Sequence, residues 1–182
     1  MKVFSHSTAS EAVAALGLSG ANLQVAQQWL AAWSDGRPPR GARFFAKCDG
    51  RNIPAFAIFE VSQGESLRCV LAGAYFGMAL GFDLSGQNML ILTPAADRAM
   101  RMERAWSIGD GAILSGKRDI SVGGAPATAH EEVYLPLADS SKESVRTYLM
   151  HTNWRPVGDA WVQGRVTTNL ELVHELQASP LG

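Results

Sequence analysis

Two short apolar runs with one tight break between them constrain this chain more than any other feature. Residues 55–61 read as a strand rich in Phe and Ile that ends at Gln63-Gly64, and residues 66–72 read as a second strand. A connection this short predicts an antiparallel hairpin. Residues 73–80 then have helical spacing with a stop at Gly81, and Asp83-Leu84-Ser85-Gly86 reads as a turn with room for a short helix after it. Residues 94–108 predict a longer helix, with Pro94 in its first turn and Ala99, Met102 and Trp106 sharing one face. Three further strands are expected at 113–122, 127–137 and 144–153, separated by Gly123-Gly124 and Asp139-Ser140-Ser141. In the last of these, alternation along Tyr148-Leu149-Met150-His151-Thr152 predicts one buried face. Strands, then helices, then strands is an α+β order. It predicts a five-stranded antiparallel sheet with helices on one face.

Helical segments precede the hairpin. Thr8-Ala9-Ser10-Glu11 has capping-box spacing before a short helix that Gly17 ends. A second helix is expected over 23–33, with Val25, Trp29 and Ala32 on one side. That side suits packing on the chain's own sheet or on a second copy. Ser34-Asp35-Gly36 stops the helix, and Arg37-Pro38-Pro39-Arg40-Gly41 excludes regular structure next. The organisation expected is a helical extension at 1–21, a main domain at 22–155 and a tail at 156–182. In the tail, Leu170, Val173 and Leu176 fit a helix, while Leu172 also fits strand alternation.

Several blocks carry a family resemblance. Trp29-Leu30-Ala31-Ala32-Trp33-Ser34-Asp35-Gly36-Arg37-Pro38-Pro39 is followed by Asp49 and Asn52-Ile53-Pro54. Then come Leu67-Arg68-Cys69-Val70-Leu71-Ala72-Gly73 and Leu80-Gly81-Phe82-Asp83-Leu84-Ser85-Gly86-Gln87. This succession resembles a bacterial subfamily of PAS domains, standalone PAS-like proteins formerly described only as a domain of unknown function. Phe82 stands where the subfamily has Arg, and Ser85 where it has Thr. The resemblance covers about residues 22–155. It implies a PAS-like fold, in which a five-stranded sheet cups a helical layer. Arg68, Gly73, Gly81, Asp83 and Gly86 are the residues of its most specific motif. Their chemistry is structural: Gly73 suits a sharp strand exit, and Asp83 can bond amides two residues on.

Composition narrows the function. A net charge of −1 gives no electrostatic footprint for nucleic acid or an anionic membrane. No apolar run reaches the roughly 20 residues of a membrane span, and the N-terminus lacks the apolar core of a secretory signal. Cys48 and Cys69 form no disulfide framework and read as small buried groups, so a cytoplasmic setting is expected. No two of the four histidines, His6, His130, His151 and His174, lie at i,i+4 spacing, no Cys-x-x-Cys occurs, and His130 with Glu132 on one strand face is a pair that alternation produces by chance. No metal site is therefore expected. No histidine lies in the helix before the third strand, where the haem ligand of some PAS relatives often sits, so haem is not expected, and the sequence leaves any other cofactor unknown. There is no Gly-x-Ser-x-Gly elbow and no phosphate loop. Glu131 and Glu132, adjacent on a strand, face opposite ways, one of them toward solvent, so no catalytic residue is assigned and no enzyme is expected.

What remains is a set of aromatic and methionine side chains. Tyr75, Met78, Met89, Met102, Trp106, Tyr134, Tyr148 and Met150, with Phe76 and Met100, fall on elements that would enclose a PAS cavity. Met adapts its shape, and Tyr brings a polar tip to an apolar wall. A small apolar or amphipathic ligand suits such a lining, and so does a filled core. The expected function is a PAS-type sensory or regulatory module acting on another signalling protein or on itself as a homodimer. The alternatives are a small-molecule carrier and, last, an enzyme on an α+β scaffold.

Overall fold

The computed structural model describes residues 6–34, 36–80, 82–122, 128–139, 144–153 and 166–167. Helices α1 (His6–Ala15), α2 (Gly20–Ala31) and α3 (Gly41–Phe45) come first. A 3-10 turn, Gly50–Ala55, leads into β1 (Phe56–Ser62) and β2 (Ser66–Ala72). Then follow α4 (Ala74–Leu80), a 3-10 turn at Ala95–Asp97, and α5 (Arg98–Gly109). The chain returns to the sheet as β3 (Leu114–Val122), β4 (Thr128–Leu137), β5 (Val145–Thr152) and the two-residue β6 (Val166–Thr167). The sheet order is β2-β1-β5-β4-β3-β6, and every pairing is antiparallel. The fold is therefore α+β, with the hairpin and the three later strands where the sequence predicts them. β6 adds a short edge strand from the segment read as tail. Gly81, Gly123-Gly124, Ser140-Ser141 and the Leu170, Val173 and Leu176 stripe lie outside the described residues.

The expectation of helices on one face is corrected, because both faces are covered. Alternate residues of each strand feed two separate cores. Phe56, Ile113, Val133, Leu135, Leu137 and Leu149 pack with Ala9, Val13, Val25, Trp29 and Phe44 of the first three helices. Ala57, Phe59, Val61, Leu67, Cys69, Leu114, Tyr148 and Met150 pack with Ala105 and Ile108 of α5. The unbroken apolar run Ala55-Phe56-Ala57-Ile58-Phe59 is what a strand covered on both sides requires. For the same reason β5 is buried at every residue from Thr147 to Thr152, not on one face only.

The N-terminal helices are held tightly. α1 begins at His6, so Thr8-Ala9-Ser10-Glu11 lies inside it and is not a cap; Gly17, at φ +60°, follows its end. Val25, Trp29 and Ala32 are completely buried, and the Trp29 indole Nε1 donates to the Pro136 carbonyl at 2.8 Å. Asn22 Nδ2 donates to the Glu131 carbonyl at 2.9 Å, and Asn22 Oδ1 sits 2.6 Å from His151 Nδ1. This face is spent on the chain's own sheet, so it does not serve a second copy.

The motif around Gly86 covers the exposed edge of β2. The Cys69 amide donates to Gln87 O at 2.9 Å, Gly86 N to Cys69 O at 2.7 Å, and Met89 N to Leu67 O at 2.7 Å. Asp83 Oδ1 accepts from the Ser85 amide at 2.8 Å, which holds that carboxyl below its usual range. Gly86 takes φ +81°, a conformation that favours glycine. Arg68 bonds Glu60 across the hairpin at 2.6 Å. The backbone of residues 86–89 thereby protects an edge that would otherwise offer free amides and carbonyls to another strand. No short helix follows Gly86; turns lead on to Ala95.

Candidate functional site

α5 crosses the sheet face that carries the second core. Its residues Arg101, Arg104, Ala105 and Ile108, spaced by three and four, look onto that face, with Asp97 just before the helix. Between them and the sheet lies a cavity of about 330 Å³. The strands supply Phe59, Leu67, Gly116, Glu132, Tyr134, Tyr148 and Met150. Register explains the grouping: Phe59 pairs with Tyr148, Tyr134 with Met150, and Gly116 with Glu132. Having no side chain, Gly116 leaves open the space beside Glu132. Lys117, exposed and paired in register with Glu131, also borders the cavity.

Tyr134 donates from its hydroxyl to Glu132 Oε2 at 2.6 Å. Phe59 and Tyr148 stack with ring centroids 5.2 Å apart. Tyr148 is 4% exposed, and among the described residues its hydroxyl makes no hydrogen bond. Burial pushes its phenol far up, helped by Tyr134 and opposed by the nearby Arg101 guanidinium. Arg101 Nη1 donates to Thr93 Oγ1 at 2.7 Å, and Thr93 Oγ1 donates to Met89 O at 2.7 Å. Thr93 thereby ties the loop before α5 to the helix and fixes the upper wall. Arg104, half-buried on the same helix face, makes no hydrogen bond or ion pair among the described residues.

Of the expected lining, Tyr134, Tyr148 and Met150 meet at this cavity, and Met100 joins them. The others do not. Met89 is buried in the core below, and Met78 is exposed. Tyr75 is half-buried on α4, which packs on the Gly50–Ala55 turn. Met102 and Trp106 lie on a neighbouring surface groove with Ala99, and the Arg146 guanidinium sits 4.7 Å over the Trp106 ring. Arg101, Arg104, Ala105 and Ile108 of α5 line this cavity, while Ala99, Met102 and Trp106 share the face that lines the neighbouring groove, with Met102 and Trp106 packed against the edge of the second core. Sequence reasoning missed Phe59, Leu67, Thr93, Arg101, Arg104 and Glu132. Strand alternation with Tyr134 was a signal for Glu132. Glu131 and Glu132 do face opposite ways, yet neither is free in solvent. Glu132 is buried, and Glu131 Oε2 accepts from Asn22 Nδ2 at 3.1 Å.

Among the described residues no three His, Cys, Asp or Glu side chains gather as a metal site, and no helix is long and apolar enough to cross a membrane. Both cysteines are free thiols; Cys69 is buried and Cys48 half-buried. Burial, with Asp49 beside Cys48 and Asp83 near Cys69, pushes each thiol up to about 11. At pH 8 each then carries roughly a hundredfold less thiolate than an ordinary thiol. Ellman's reagent should therefore react slowly with the folded protein and fast after urea unfolding. The folded rate should keep rising beyond pH 9. Rapid labelling of the folded protein at pH 8 would contradict this.

The class these features define is an α+β domain with a two-faced antiparallel sheet and a lined cavity under its longest described cavity-facing helix. No family model matches the chain, and no curated protein matches it.

Proposed function

We propose that this chain is a PAS-type sensory or regulatory module that couples occupancy of the α5 cavity to contact with another protein or with itself. The observation that carries the reading is the cavity. At about 330 Å³ it falls at the small end of ligand sites, which run from roughly 300 to 1,000 Å³. Its floor is aromatic and aliphatic, and a few polar groups converge on it, as in a binding site that orients its ligand. The antiparallel α+β sheet and the motif blocks around Gly73 and Gly86 support the PAS assignment. Exposed apolar side chains on β2 and the following loop, Val70, Leu71, Phe82, Leu92 and the 72%-exposed Ile91, support the contact part of the reading.

The test has two readouts on the full chain. Native mass spectrometry of freshly purified protein should show a small added mass that denaturation releases. Light scattering at several concentrations should show a change of assembly when that occupant is removed. An occupant with no change of assembly would make the protein a carrier. An empty, strictly monomeric protein would overturn the proposal.

A further inference from the structure

Resting on the cavity reading above, we infer that the occupant is a small amphipathic carboxylate, its apolar body on Phe59 and Met150 and its anionic group addressed by Arg104 and the Tyr148 hydroxyl. Three observations lead there. First, the sheet side of the cavity is apolar and aromatic, with Phe59 and Tyr148 stacked as a flat surface. A hydrocarbon or ring buries well against it.

Second, the polar groups of the wall divide by sign. The one buried carboxylate, Glu132, is already engaged by the Tyr134 hydroxyl at 2.6 Å. On the helix side, Arg104 has no hydrogen bond or ion pair among the described residues. Asp97 is exposed at the edge of the cavity, where water screens it. Counted over the whole lining, Arg101, Arg104 and Lys117 outnumber Asp97 and Glu132, so the cavity wall carries a net positive charge.

Third, Tyr148 is a nearly fully buried phenol on the cavity wall whose hydroxyl makes no hydrogen bond among the described residues. A hydroxyl placed on the wall in this way is free to donate to whatever the cavity holds. A carboxylate accepts from a phenol and a guanidinium together, whereas an ammonium accepts from neither.

Isothermal titration calorimetry with octanoate, octanamide and octylamine tests the inference. Octanoate should bind at least about tenfold more tightly than octanamide, and octylamine least tightly. Arg104→Gln should lower octanoate affinity about tenfold and narrow its advantage over the amide. Arg51→Gln, a distant exposed arginine paired with Asp49, should leave that advantage intact, which separates local recognition from net charge. Equal binding of amide and acid, or an Arg104→Gln protein with the full advantage, would overturn the carboxylate inference while leaving a ligand cavity standing. If none of the three bound, the cavity reading would fall with it.

Discussion

Gly73→Ala is expected to destabilise the protein by more than about 3 kcal/mol and to lower its melting temperature by roughly 6–12 °C. The sequence suggests a sharp strand exit as the reason for glycine here. The structure gives another. Gly73 does not have the positive φ found at Gly86. Instead its backbone lies against the Gly50–Ala55 turn, where a Cβ would stand 2.3 Å from the Pro54 carbonyl oxygen and 2.6 Å from that of Ile53. Both obstacles are backbone atoms and cannot rotate away. Gly73 N also donates to Phe56 O at 2.7 Å, which pins it to the start of β1. Relief would require the turn and strand to separate. Valine should be worse than alanine, because its branch adds atoms to the same space. Gly50→Ala is the control: nothing lies within 4 Å of its Cβ position, so a change below about 1 kcal/mol is expected. Thermal or urea melts of the three variants decide it. An alanine variant as stable as the parent would mean that β1 and the turn do not meet at Gly73.

Much of this fold is legible in local sequence. Tight breaks at Gln63-Gly64 and the apolar runs beside it place β1 and β2 within a residue of their observed ends. What escapes is which surfaces are covered. Alternation marks β5 as having one buried face, but His151 and Thr152 are polar and buried as well, because α2 supplies Asn22 to His151 from above. A polar residue matched by a partner 129 positions away leaves no local trace.

The candidate site escapes for a related reason. Apolar periodicity on α5 selects Met102 and Trp106, which pack against the edge of the second core, yet the stripe that lines the cavity contains Arg101 and Arg104. Arginine lays an apolar stem along a surface and keeps its head polar, so it can occupy an inward position that hydropathy assigns to solvent. Trp106, partly buried against the second core, carries the Arg146 guanidinium over its ring. Tyr134, Tyr148 and Met150 are legible since strand alternation puts each beside known core residues. Phe59 joins them only through cross-strand register with Tyr148. Register depends on the whole hairpin and on the bulge between Ile58 and Phe59.

Trp29→Ala should cost about 3–5 kcal/mol, the second large effect, and it tests whether α2 is a wall of the domain. Trp29 is completely buried, packs edge-on to Trp33 at 5.3 Å, and bonds the Pro136 carbonyl. Alanine removes the ring, leaves a cavity over β4 and deprives a buried carbonyl of its donor. Trp29→Phe keeps most of the volume but not the donor, so its loss should be smaller, about 1–3 kcal/mol. The order Ala worse than Phe worse than parent is the expected result in urea unfolding. A detachable interaction helix would behave otherwise: Trp29→Ala would alter assembly with no change in the unfolding midpoint. The distinction reaches the cavity. Pro136 follows Tyr134 by two residues on β4, and Val133 and Leu135 alternate with Tyr134 toward α2. The layer that Trp29 anchors therefore presses on the reverse side of the strand that holds the Tyr134–Glu132 pair in place. Loosening that layer should also weaken whatever the cavity binds, although no atom of Trp29 borders it.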